Sequence, residues 1–147
     1  MSALVKMNLG AMKDKAALIR ALGLMCQELV DRHLSLDAHP TGRYIQAALA
    51  EAGVTRADVM IAKEAYSGCG DLAFAKTSED VFQAYFDDMD QWRIEKAFKC
   101  DGSFDKQLTQ YYAAACAETS LKQQGYDVAV SYDQQTQKVN LQAYAYA

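Results

Sequence analysis

The chain has 147 residues, of which 51% are hydrophobic and 23% are charged, and its formal net charge at pH 7 is −4. A chain of this length and composition can bury the core of one soluble domain, residues 1–147. The mild acidity disfavours broad, non-specific attraction to nucleic acids or to anionic membranes. With one proline and eight glycines, a long disordered tract is not expected.

Cysteine usage and the N-terminal stretch predict a cytoplasmic protein. The four cysteines form no C-x-x-C pair, so reduced thiols are expected. The opening residues, MSALVKMNLG, do not have the pattern of a secretory signal. No apolar run approaches the roughly 20 residues of a membrane span, and we therefore expect no membrane contact.

The first third of the chain predicts a strand followed by helices. Residues 3–9 alternate as a strand, and Asp14 can cap a helix that Gly23 could end. Residues 24–36 also fit a continuation of that helix, with Gly23 tolerated at a cost of about 1 kcal/mol relative to alanine. Beyond Pro40, residues 41–52 predict a short helix capped by Thr41.

The middle of the chain predicts an antiparallel meander. Apolar runs at residues 58–65, 71–76 and 81–86 are separated by the short turns S-G-C-G and T-S-E-D. Consecutive strands joined by such turns usually pair with their neighbours in sequence.

The last third predicts a long helix and a hairpin. After a mixed segment at 87–102, Ser103 can cap a helix that Gly125 ends. Residues 126–132 and 138–145 alternate as two strands. The whole predicts an α+β fold: a mostly antiparallel sheet of five to six strands, with two main helices packed on one face and a short inserted helix. The predicted apolar stripe of the long helix is Phe104, Leu108, Tyr111, Tyr112, Ala115 and Thr119.

Three short motifs resemble one known family. They are A-L-G at 21–23, G-D-L-A-F at 70–74, and a C-terminal block with F at 104, L-T-Q at 108–110, Y-A at 112–113 and Q-G-Y at 124–126. This pattern is similar to the hypothetical chloroplast reading frame thirty-five family, also called domain of unknown function twelve-fifty-seven. Its members occur in cyanobacteria, algal plastids, other bacteria and phages, so the resemblance implies a phage or bacterial member.

The resemblance brings no enzyme activity with it. Relatives are often encoded near AAA-type ATPases, which implies an adaptor role with such an ATPase as partner. Where the family usually has arginine after Thr-Gln this chain has Tyr111, and Ala114 replaces a usual tyrosine. Compared with the family pattern, residues 24–56 look like an enlarged, helical insertion. We expect Tyr111 to be packed or at a contact rather than catalytic.

The candidates for metal and nucleophile chemistry are few. His33 and His39 could bind zinc with Asp31 or Asp37, but their spacing is not that of a helical ligand pair, and surface histidines are favoured. Cys69 in the S-G-C-G turn could be a nucleophile only if a histidine served as its base. Turn glycines beside an incidental cysteine are favoured. No lysine-serine or lysine-threonine follows the glycines, so no phosphate-binding loop is predicted. The sequence also predicts no catalytic residue, metal or cofactor.

Asp87, Asp88 and Asp90 form the densest acidic cluster. They could hold a divalent cation for acid–base chemistry or dock a basic partner. A solvated strand end that guards a sheet edge is the favoured interpretation.

Aromatic residues on or beside the predicted strands are the other candidate site. Arg93, Lys96 and Lys99 follow at i, i+3 and i+6, which would place them near one helical face. Aromatics and cations on an open sheet can bind single-stranded nucleic acid, whereas cross-strand packing is the favoured interpretation. The candidate binding residues are Tyr85, Trp92, Arg93, Lys96, Lys99, Tyr111, Tyr132 and Tyr144.

The sequence therefore predicts a non-enzymatic protein that binds another macromolecule, with a protein as the favoured partner. Single-stranded RNA or DNA binding is the alternative. The C-terminal strand, in which Tyr144 and Tyr146 alternate, could also pair with a second copy and form a homodimer.

Overall fold

The computed structural model describes residues 3–43 and 45–145, and Tyr146 of the predicted C-terminal strand lies outside them. The α+β class is confirmed. In chain order the elements are β1 Leu4–Asn8, α1 Lys15–His33, β2 Leu34–Ala38, α2 Gln46–Glu51, β3 Ala57–Ile61, β4 Leu72–Lys76, β5 Phe82–Asp87, α3 Gln91–Ala97, α4 Phe104–Gln123, β6 Tyr126–Asp133 and β7 Lys138–Ala145, with 3₁₀ turns at Lys63–Ala65 and Asp88–Asp90.

Five strands form one antiparallel sheet in the order β1-β5-β4-β3-β2. The predicted meander is confirmed, because β3, β4 and β5 pair in sequence order. Side chains alternate between the two faces of the sheet. One row across the sheet is Met7, Ala84, Phe74, Val59 and Leu36, and the neighbouring row on the opposite face is Lys6, Tyr85, Ala73, Met60 and Ser35.

The two faces of the sheet have different covers. The face with Phe74 packs in one core with buried residues of α1 and α4, such as Leu18 and Leu108. The opposite face packs with Ile45 and Leu49 of the short α2 segment. The sheet is therefore enclosed by two large helices on one side and by a smaller cover on the other.

The segment 24–56 differs from the predicted helical insertion. Helix α1 runs through Gly23 to His33, with a non-helical backbone at Cys26, and the chain then forms strand β2 at the edge of the sheet. The sequence missed β2 because pairing with β3, rather than a local pattern, makes these residues extended. The predicted cap Thr41 is also wrong, since α2 begins after Ile45 without a side-chain cap.

The structure corrects one further boundary and one predicted capping bond. The strand predicted at 58–65 ends at Ile61 and turns into a 3₁₀ segment. Ser103 is the N-cap residue of α4, but its side chain makes no capping bond. The backbone N–H of Phe104 instead donates to Glu95 Oε2 at 2.9 Å, so a carboxylate from α3 satisfies the start of α4.

Helix α4 packs against both the main core and the C-terminal hairpin. Ala114 and Ala115 are buried, and Arg20 of α1 binds Glu118 through two hydrogen bonds of 2.8 and 3.0 Å. Thr119, placed in the apolar stripe by its spacing, is exposed. Small side chains thus bring α4 close to α1, while the buried carboxylate is neutralised across the interface.

Strands β6 and β7 form a separate two-stranded sheet. The hairpin lies against α4, where the rings of Tyr111 and Tyr132 stack with their centroids 6.3 Å apart. Within residues 3–43 and 45–145, no helix has the length and apolar character needed to cross a membrane.

Candidate protein-binding surface

The structure divides the predicted binding residues among several places. Tyr85 is buried in the main sheet, where its hydroxyl donates to Gln83 Oε1 at 3.0 Å. Tyr111 and Tyr132 stack between α4 and the hairpin, so Tyr111 has the packed position expected for it. Tyr144 is exposed on β7. These tyrosines therefore do not share one open sheet face.

The predicted row of cations is also divided. Arg93 and Lys96 belong to α3, but that helix ends at Ala97. Lys99 follows with a positive φ of 56° and lines a groove with Arg32 and His33 of α1. The i, i+3, i+6 spacing places three residues on one face only if the helix continues, and here it does not.

Met89, Trp92, Arg93 and Lys96 form what we call the Trp92 surface. Trp92 is 58% exposed and Met89 is 52% exposed, although both are large apolar side chains. The guanidinium carbon of Arg93 lies 4.8 Å from the centroid of the Trp92 ring, which is cation–π geometry. Lys96 is exposed one turn further along α3. The surface thus combines apolar area with positive charge.

A buried carboxylate fixes this surface to the fold. Asp90 is 0% exposed, and its oxygens accept the backbone N–H groups of Cys69 at 2.9 Å and Gly70 at 3.0 Å. Arg93 Nη1 lies 3.3 Å from Asp90 Oδ1 and donates to the carbonyl of Met89 at 2.6 Å. Arg93 is therefore held between a buried charge and the Trp92 ring, so little further ordering is needed for binding.

The loop that meets Asp90 is built around glycines for steric reasons. A Cβ on Gly68 would overlap the ring of Tyr66. A Cβ on Gly70 would stand 3.1 Å from the Cα of Gly42, with which Gly70 forms a β-bridge. The glycines of the S-G-C-G motif are therefore needed for close backbone approach.

Asp71, the residue after this motif, ties three segments together. Its Oδ2 accepts the backbone N–H and the hydroxyl of Thr41 at 2.8 and 2.9 Å, and its Oδ1 accepts the N–H of Lys63 at 2.8 Å. Asp71 is 4% exposed. Charge-assisted bonds to backbone donors compensate such burial. The sequence contained only a weak signal for this role, an aspartate directly after a glycine turn.

The acidic cluster is not the solvated strand end that the sequence favoured. Asp87 and Asp90 are both 0% exposed. Asp87 accepts the N–H of Met89 at 2.9 Å, while the exposed Asp88 accepts the N–H of Ala3 at 3.1 Å. These carboxylates shape the turn between β5 and α3. Sequence spacing missed the burial of Asp90 because its donors, Cys69 and Gly70, lie about twenty residues earlier in the chain.

Cys69 faces an open cleft of about 570 Å³ that Thr41, Arg43 and Lys63 also line. Burial and the nearby Asp90 carboxylate raise the pKa of the Cys69 thiol, which disfavours the reactive thiolate. His39 is held elsewhere, with Nδ1 2.7 Å from the carbonyl of Thr55. In the part of the chain that the structure describes, no group of three or more His, Cys, Asp or Glu residues could hold a metal ion.

The comparisons with known proteins identify a family. A family model described as "Protein of unknown function (DUF1257)" matches residues 33–142, about three quarters of the chain. The match includes both the Trp92 surface and the loop that supports it. No curated protein and no solved structure matches the chain.

Proposed function

Since this chain belongs to the DUF1257 family of proteins of unknown function, we propose from its surface chemistry that it is a non-enzymatic adaptor that binds another protein. The observation that carries the proposal is the exposure of Trp92 beside Met89 on a segment anchored by the buried Asp90. Large aromatic and arginine side chains dominate the binding energy of many protein interfaces.

Charge complementarity defines the partner as an acidic segment that carries an apolar anchor. Arg93 stacks on the exposed ring and Lys96 is exposed one turn further along α3, while the neighbouring Asp88 and Glu95 accept backbone N–H groups. An apolar side chain of the partner would cover Trp92 and Met89, and its carboxylates would approach the two cations.

The chemistry of the remaining polar groups supports a role without catalysis. The raised thiol pKa of Cys69 disfavours nucleophilic attack, and Asp71 and Asp90 are engaged by backbone donors. Groups used in this way position the backbone rather than substrates. The proposal also includes a cytoplasmic location, in agreement with the four free cysteines.

The narrower assignments suggested by the family resemblance form part of the same proposal. They are membership of the chloroplast reading frame group, a phage or bacterial source, and an AAA-type ATPase as the partner. The Trp92 surface requires only that the partner present an acidic and apolar segment. An ATPase with such a segment would fit.

The test compares three baits in extracts of the native host: wild type, Trp92→Ala and Tyr126→Ala. Tyr126 is the matched control because it is an exposed aromatic residue on the hairpin. We expect one stoichiometric protein with wild type and Tyr126→Ala, and its loss with Trp92→Ala. Removal of a central interface tryptophan typically costs about 2 kcal/mol or more, roughly a thirty-fold loss of affinity.

The purified partner then provides a direct check. Trp92 is the only tryptophan of the chain, so its fluorescence reports on this surface alone. We expect the emission to move to shorter wavelength when the partner is added, and Lys96→Glu to weaken the titration more than Lys106→Glu. Recovery of RNA as the only stoichiometric component, or capture that Trp92→Ala leaves unchanged, would contradict the proposal.

A further inference from the structure

The C-terminal hairpin has two outer edges. Strands β6 and β7 pair over eight residue pairs from Tyr126–Ala145 to Asp133–Lys138. Among residues 3–43 and 45–145 no third strand joins them. Unpaired edge groups are sites where another strand can add, and the two edges differ in what already occupies them.

The outer edge of β6 is guarded near its start by the acidic side chain of Asp127. The N–H of Val128 donates to Oδ1 of its neighbour Asp127 at 3.1 Å, and the strand ends at Asp133. A carboxylate on a strand edge both occupies edge donors and repels a like-charged strand. This edge is therefore unsuited to pairing with its own copy.

The first half of the β7 edge is closed by α4. Gln110 donates from Nε2 to the carbonyl of Gln137 at 3.0 Å and accepts the N–H of Val139 on Oε1 at 3.1 Å. The side-chain amide thus takes the place of a neighbouring strand up to Val139. These two bonds also show that the peptide groups of Gln137 and Val139 point away from β6, toward the outer side of β7.

The second half of the β7 edge is open. Peptide groups alternate sides along a strand, so those of Leu141, Ala143 and Ala145 face the same outer side as that of Val139. Residues 139–145 contain no Asp, Glu, Lys or Arg, and none of the usual charged or proline guards protects them. An uncharged, alternating segment of this kind is complementary to itself.

We propose that the open edge of β7 pairs antiparallel with β7 of a second copy, centred on Ala143. Gln110 blocks pairing beyond Val139 and so sets the register: Ala143 opposite Ala143 of the second copy, and Leu141 opposite its Ala145. The arrangement is reciprocal and closes as a two-fold dimer. It joins the two hairpins into one four-stranded sheet, which is more stable than an isolated pair of strands.

Charge favours β7 over β6 in this role. Pairing about Ala143 brings no like charges together, because the charged Lys138 precedes the open segment. Pairing of two β6 edges would bring Asp127 of each copy into the interface, and like charges on opposed strands are destabilising. The dimer edge shares no residue with the Trp92 surface, so this inference and the proposed function fail separately.

Sedimentation equilibrium of the full chain tests the pairing. We expect the apparent mass of wild type to rise with concentration toward twice the monomer mass. Ala143→Lys places two lysines opposite each other and should weaken association at least about tenfold. Ala143→Asp should do the same, and an equimolar mixture of the two variants should associate again. Ala129→Lys, at an exposed position on β6, is the matched control and should associate as wild type does.

A proline variant distinguishes loss of dimer pairing from loss of folding. Because the Ala143 N–H points outward, Ala143→Pro removes an edge donor and leaves the β6–β7 ladder intact. We expect a monomer with an unchanged circular dichroism spectrum. A wild-type protein that stays monomeric up to about 1 mM, or a dimer that survives Ala143→Pro and both charged variants, would overturn the inference.

Discussion

The five-stranded sheet and the C-terminal hairpin are built from similar alternating sequences but are stabilised differently. Residues Leu72 to Ala75 of β4 are all buried, because helices cover both faces of the sheet. In the hairpin, residues 126–133 and 138–145 include none that is fully buried. The sheet therefore depends on apolar burial, whereas the hairpin depends on its docking to α4.

The difference extends to polar groups. On the sheet side, Asp71 and Asp90 are buried and each accepts several backbone donors. On the hairpin, Asp127 and Asp133 accept N–H groups of nearby residues in solvent-exposed hydrogen bonds. Rigidity is thus concentrated beneath the Trp92 surface, while the hairpin keeps edge groups available. The adaptor role proposed above would use both properties, a fixed anchor and an open strand edge.

The largest effect is expected in the centre of the sheet. Phe74→Ala removes a side chain that is 0% exposed and should lower the free energy of unfolding by about 3–5 kcal/mol. Val130→Ala, at a half-buried hairpin position, should cost about 1 kcal/mol or less. Urea denaturation of both variants gives the comparison. Equal losses would show that the hairpin is as much a part of the core as the sheet.

The next effect concerns the two kinds of aspartate. Asp90→Asn keeps the shape but removes the charge that binds Cys69, Gly70 and Arg93, so we expect a loss of about 1.5–3 kcal/mol. Asp133→Asn, which affects only the exposed hairpin turn, should cost less than about 0.5 kcal/mol. Thermal unfolding measures both. In Asp90→Asn the emission of Trp92 should also change, because Arg93 loses its anchor.

A smaller effect is expected at the contact between α1 and α4, where Arg20 binds Glu118. The hydrogen bonds from Arg20 lower the pKa of Glu118 below its ordinary value of 4.5. The pair therefore stabilises the fold fully above that value and loses its contribution as the pH falls through the lowered pKa. Because Arg20 is half-exposed, Glu118→Gln should cost about 1 kcal/mol at pH 7.

The pH profile distinguishes this pair from a surface ion pair. The difference in unfolding free energy between wild type and Glu118→Gln should shrink below pH 4.5. Glu28→Gln removes the exposed partner of Arg32, 3.6 Å away, and should change stability by less than about 0.5 kcal/mol. If the Glu118 difference is independent of pH, the carboxylate is not what stabilises the interface.

A global effect of about the same size is expected at the hairpin contact. Gln110→Ala removes the two bonds to β7 and should cost about 1 kcal/mol. Burial raises the pKa of Cys100 to about 12, and both Cys100 and Tyr132 pack against the apolar cluster that contains Tyr111. Undocking of the hairpin should therefore speed the alkylation of Cys100, measured by mass spectrometry. The exposed Cys116 should react at the same rate in both proteins.

The sequence by itself determined the elements whose patterns are local. Alternation predicted β3, β4 and β5 as a meander, and Gly125 marked the turn from α4 into the hairpin. These features depend on periods of 2 and 3.6 residues and on turn chemistry, which neighbouring residues specify. For the same reason Trp92 and Arg93 could be named as candidates before their surroundings were known.

Only the tertiary structure decided the features that depend on distant partners. Strand β2 exists because β3 pairs with it, and Asp90 is buried because donors twenty residues earlier in the chain surround its carboxylate. The separation of the hairpin from the main sheet follows from the position of α4 between them. Burial, pairing and charge compensation are properties of groups that the fold brings together, and local sequence patterns do not encode them.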